Sequence, residues 1–200
     1  MNASEFTDAV RDAHETPLSR LGSSKWVYAL TGGEMEGDAV EAAWVAEANA
    51  ARETFEAWTE SEEGETAADA FADAAAFAEG NGGDGDADLS PTYEALGSLD
   101  GTAARAGGLL AWTLVAEKTL AQMVGFFVGD ADPSTANTFR ERKSAVGEIR
   151  ETAQSLLDEV CGDDDAWESA RSGADEVIEA AYADYVETLE SMGIKPKNVC

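Results

Sequence analysis

Basic side chains are scarce. Against 41 Asp and Glu the chain sets only 13 Lys and Arg, five of them Lys, for a formal net charge of -28. Direct contact with nucleic acid relies on clustered Lys and Arg to neutralise phosphates. The one short basic run, Arg140, Arg142 and Lys143, reads as a solvated helix face. No direct nucleic-acid binding is therefore expected. Cysteine is nearly absent: Cys161 and Cys200 make neither a CxxC nor a metal spacing, so reduced, free thiols are expected. Long apolar runs are missing too. The most apolar stretch, 109–128, is interrupted by Glu117, Lys118 and Gln122, which reads as a core helix and excludes a membrane span. The opening MNASEFTDAVRD has no basic region and no apolar region of a secretory signal. A cytoplasmic protein is expected.

What is present is acid and apolar content together. Hydrophobic residues make up 44% of the 200 residues, enough for a real core, and five Trp, seven Phe and four Tyr are spread along the chain. The acid is spread evenly as well, unlike an acidic tail. A charge this large destabilises a compact fold in ordinary buffer. At molar salt the screening length falls to about 3 Å and most of that penalty disappears. The composition thus reads as that of a halophile's protein.

The apolar periodicity predicts helices throughout and no strand. A first helix is expected over 3 to 31, with Phe6, Val10, His14, Leu18, Leu21 and Tyr28 on one face, a kink or break at Pro17, and an end at Gly32-Gly33. A second begins near Asp38, capped by Asp38 with Glu41, and carries the stripe Val40, Trp44, Glu47, Ala51, Phe55 and Trp58. An Ala-rich helix follows over 66 to 79, then an acidic loop over 80 to 90. The Asp spacing at 84, 86 and 88 is that of a calcium loop, but the Gly and the closing Glu are not in place, so a plain loop is expected. Ser90-Pro91 opens a short helix. A third long helix over 101 to 128 should be the most buried, with Gly107-Gly108 allowing close packing. A fourth runs from Asp132-Pro133 to Cys161-Gly162. A fifth starts among 163 to 165, ends at Gly193, and leaves a short tail over 193 to 200. Short connections force antiparallel neighbours. The expected fold is all-α, a single domain over 1 to 200: an antiparallel four-helix bundle with an additional C-terminal helix.

Two carboxylates fall on apolar stripes: Glu47, one turn from Trp44 and Ala51, and Glu117, one turn from Leu114 and Ala121. A charge on such a face must be paired or bind something. Glu47 and Glu117 are therefore the candidate metal or small-ligand residues, with ion pairing to Lys25, Lys118 or Arg150 as the alternative. Nucleophilic catalysis has no support, for no Ser, His and Asp grouping, nucleophile elbow, Walker loop or dinucleotide fingerprint is present.

The stretches LSRLGSSKWVYALTGGEMEGDAV (18–40), EANAARETFEAW (47–58), TLVAEKTLAQMVGFFVGDADP (113–133) and YVETLESMGIKPKNVC (185–200) resemble the rubrerythrin-like proteins of haloarchaea, within the ferritin-like superfamily. The resemblance implies a carboxylate-bridged di-iron bundle with peroxide or oxygen chemistry. Such a site takes one Glu from each of two helices and a Glu-x-x-His from each of the other two. Here the single histidine is His14, with Arg11 three residues before it, so no Glu-x-x-His exists. Two separated cysteines cannot supply the four that a rubredoxin-like iron centre needs. The expectation is a degenerate bundle without catalytic metal, more a binding or interaction protein than an enzyme, with room for a protein partner or a homo-oligomer. The alternatives are an oxidoreductase holding iron or manganese through carboxylates alone, and a regulatory factor of the transcription antitermination type.

Overall fold

In the computed structural model, which describes residues 1–84 and 90–196, the chain is all-helical. Nine helices are present among the described residues: α1 (Ala3–Ala13), α2 (Glu15–Leu21), α3 (Ser24–Leu30), α4 (Gly37–Ser61), α5 (Glu65–Glu79), α6 (Pro91–Ser98), α7 (Thr102–Gly129), α8 (Pro133–Val160) and α9 (Asp164–Ser191). No helix among them is long and apolar enough to cross a membrane. The loop Asp positions 86 and 88, and Cys200, lie outside the described residues.

The expected first helix is three. The chain breaks at His14, three residues before Pro17, because the proline ring excludes the carbonyl four residues back and offers no N–H. A second break falls at Gly22-Ser23, where the Gln122 side chain donates to the Gly22 carbonyl at 2.7 Å. Phe6, Val10, His14, Leu18 and Leu21 are buried as the periodicity predicts, while Trp26 and Val27, not Tyr28, take the interior after the break. The start of α4 also differs from expectation. Glu36 holds the cap position, no side chain caps the helix, and Asp38 sits in the first turn. Of the later starts, Ser90 holds the cap position of α6 without a side-chain bond, whereas α8 and α9 are capped by aspartates. Asp132 accepts from the N–H groups of Ser134 and Thr135, and Asp163 from that of Ala166.

Helix α7 is the centre. It is buried around most of its circumference; α8, turning back after a short loop, packs antiparallel to it, and α9, turning back again, packs against it in α7's own direction. Gly107 is needed there: a Cβ would run into the Ala170 carbonyl of α9, and Gly173 of α9 meets the Ala104 carbonyl of α7 in the same way. The two backbones therefore cross in direct contact. Helices α4 and α5 form a second pair, joined to α7 by rings. Phe55 of α4 lies 5.1 Å from Trp112 of α7 and Phe77 of α5 6.3 Å from it, and both pairs meet edge to face. Such pairs contribute about 0.5–1.5 kcal/mol each beyond their burial. Short α6 bridges α4 and α9, and the N-terminal helices close the sides of α7, α8 and α9. Gly193, at φ +74, ends α9, and the Lys25 ammonium donates to the Lys195 carbonyl at 2.8 Å, so the start of the tail is docked.

Candidate functional site

The periodicity that puts Trp44, Ala51, Phe55 and Trp58 in the core also carries Glu47 inward. Its carboxylate is half-buried on α4. Tyr93, delivered by α6, donates its hydroxyl to Glu47 Oε2 at 3.1 Å, and the Trp112 indole N–H of α7 donates to the Tyr93 oxygen at 3.3 Å. Three helices are thus tied in one donor chain ending on an acid. Burial pushes the Glu47 pKa up from 4.5 to about 7; the Tyr93 bond opposes this, and the negative charge of Asp184 on α9 adds to it. Tyr93 is itself pushed well above its ordinary range, first by burial and then by the Glu47 charge. Asp184 is raised by burial, and the Thr188 hydroxyl donates to it at 3.2 Å. The cavity beside Glu47 measures about 10 Å³ and is walled by Trp44, Phe77, Tyr93, Trp112 and Thr119, among others. That is room for one water at most. The Trp44 indole N–H, on the wall of this cavity, has no partner among the described residues.

Glu117 lies elsewhere. It leaves α7 about 100–160° round the helix from Trp112, Val115, Ala116 and Thr119, the α7 residues that wall the Glu47 cavity. It faces α8, where Arg150 Nη1 reaches its Oε2 at 2.5 Å and Lys143 its Oε1 at 3.9 Å. Arg150 is one of the partners the sequence offers. The two candidate carboxylates therefore share no partner and stand on opposite sides of the central helix.

The donors of a carboxylate-bridged metal pair are accordingly not assembled around Glu47 and Glu117. Among the described residues, no group of three or more His, Cys, Asp or Glu side chains is placed to hold a metal ion. His14 lies at the α1–α2 junction. It is buried, and its Nε2 is 2.7 Å from Asp175 Oδ1, which also accepts from Arg171 Nε at 2.7 Å. This anchors the N-terminal helices to α9. Cys161 is buried at the end of α8, and burial, with Asp158 and Asp163 nearby, pushes its thiol up to about 11. It remains a protonated, unreactive thiol at neutral pH.

Sequence reasoning finds Glu47 and Glu117 but misses Tyr93, Trp112 and Asp184, the groups that set the Glu47 environment. Tyr93 reaches Glu47 from a short helix 46 residues on, and no spacing signals such a contact. In comparisons with protein-family models, with curated proteins and with solved structures, nothing matches this chain.

Proposed function

We propose that this chain is a ferritin-like bundle of the rubrerythrin-like kind, from a halophilic archaeon, that has lost its catalytic metal and serves in the cytoplasm as a binding or interaction protein. The observation that carries this reading is the commitment of Glu117 to Arg150 and Lys143, on the far side of α7 from Glu47. A bridging carboxylate has to be free of cations and to share a metal with its counterpart. Phe55, Trp58, Phe71 and Trp112 fill the interior between α4, α5 and α7 with packed rings. The test is peroxide consumption and metal content of protein purified in molar salt without chelators. The reading expects neither turnover nor near-stoichiometric iron or manganese, and either one overturns it.

One observation favours a second reading. The negative charge of Asp184 on α9 adds to the upward shift of Glu47 on α4. An oxidoreductase with a carboxylate-only site would draw on this pair. Metal that is bound by the parent chain and lost in the Glu47→Gln and Asp184→Asn variants would establish it.

A further inference from the structure

Two of the chain's five tryptophans, Trp44 and Trp58 of α4, bury an indole N–H that has no partner among the described residues. The indoles of Trp26 and Trp112, by contrast, donate to Thr119 Oγ1 at 2.8 Å and to the Tyr93 oxygen at 3.3 Å. A buried donor left unbonded is costly, so the two orphans need a physical account. Their surroundings differ. Trp58 is packed among rings, 5.4 Å from Phe55 and 5.1 Å from Phe71, and is not on the wall of the Glu47 cavity. Trp44 is on that wall, one helical turn before Glu47 on the same face of α4.

Size and polarity select what this cavity holds. About 10 Å³ is the room of a single water, too little for an organic molecule or for the larger chloride ion. A cation needs acceptors, whereas the Trp44 indole is a donor only. Glu47 needs a dipole. No cation lines the cavity, and the titratable neighbours of Glu47 are Tyr93 of α6 and the negative Asp184 of α9. Thr119 Oγ1, on the cavity wall, already accepts from Trp26 and donates to the Val115 carbonyl at 3.2 Å, so its hydroxyl has no proton left for Glu47 and only a lone pair to offer a water. Water fits both sides. It accepts from the Trp44 N–H and donates to the Glu47 oxygen that Tyr93 does not bond. When Glu47 carries a proton, the same water can accept it in a hydrogen bond.

We propose that one buried water occupies this cavity and bridges the Trp44 indole N–H to the Glu47 carboxyl, completing the donor chain that Trp112 and Tyr93 begin. The water gives a half-buried acid a dipole that reverses with its charge. The site does not depend on the interaction-protein reading.

The test counts long-lived waters on the full chain in molar KCl by water-oxygen and deuterium relaxation dispersion. Trp44→Phe and Glu47→Leu should each show about one fewer than the parent. Trp58→Phe removes the other orphan indole and should lose none. Glu47→Gln, whose amide still bonds water, should lose none either. Circular dichroism confirms that the variants are folded. The parent alone gives a second readout: with nitrogen-labelled tryptophan, the Trp44 indole proton should cross-relax with a bound water, at the same chemical shift in potassium chloride and in potassium acetate. No water contact at that proton, a count unchanged by Trp44→Phe or by Glu47→Leu, an equal loss in Trp58→Phe or Glu47→Gln, or an indole shift that follows the halide would each overturn the proposal.

Discussion

Tyr93 on α6 donates its hydroxyl to Glu47 on α4 across 3.1 Å, and this bond gives a half-buried acid its only hydrogen-bonding side chain among the described residues. The bond opposes the burial that raises Glu47, and burial wins, leaving the group near pH 7. In the unfolded chain Glu47 would lose its proton near 4.5, whereas the folded chain keeps it to about 7. Between those values the folded state holds the extra proton, so stability falls as pH rises and levels off above about 7.

The Glu47→Gln variant should remove that slope. In molar salt, denaturant melts of the parent chain should weaken from pH 5 to pH 8 by at most about 3 kcal/mol on account of this group. The variant should weaken less and be the more stable of the two at pH 8. Parallel profiles for the two proteins would contradict the assignment.

Glu117 should behave differently. Its partners are part-exposed, and such pairs contribute about 0–1 kcal/mol, less in high salt. Glu117→Gln should therefore shift the unfolding midpoint little at any pH. A loss of several kcal/mol would show that these pairs carry more of the fold than their exposure implies.

How far the sequence reveals the fold can be judged element by element. Where one periodic stripe decides, as in α4, the expected apolar inner residues Val40, Trp44, Ala51, Phe55 and Trp58 are the buried ones, and the Asp132 cap sits where expected. The N-terminal segment is different. The stripe from Phe6 to Leu21 continues across two breaks, because apolar spacing reports which side is buried and not whether the axis turns. The candidate site is legible only as single residues. Glu47 and Glu117 lie on apolar stripes alike, but their surroundings are set by α6 and α8, which meet them from distant parts of the chain. The side of α7 on which Glu117 emerges relative to Thr119 follows from helical pitch. What faces it there depends on tertiary packing.

At the α7–α9 crossing, Gly107→Ala and Gly173→Ala should each be strongly destabilising, because the new methyl group meets a backbone carbonyl that cannot turn aside. About 1–3 kcal/mol or more is expected from overpacking, read as a lower denaturant midpoint. Gly125→Ala, with open space around its Cβ, should be neutral or stabilising and serves as the control. Equal effects at the three positions would contradict the close crossing.

The Cys161 thiol, raised to about 11 and buried, should react slowly with iodoacetamide at pH 8 in the folded protein and rapidly after denaturation. Mass spectrometry of the peptide bearing Cys161 reads this directly. Rapid labelling of the native protein would show that the end of α8 opens.

The most direct measurement is an anaerobic titration of the apoprotein with Fe(II) and Mn(II) in molar salt, followed by calorimetry and repeated on the Glu47→Gln, Glu117→Gln double variant. With one carboxylate tied to Tyr93 and the other to Arg150, we predict no saturable high-affinity binding to the parent chain and no difference between the two proteins. Stoichiometric binding by the parent that disappears in the double variant would contradict the loss of the metal site.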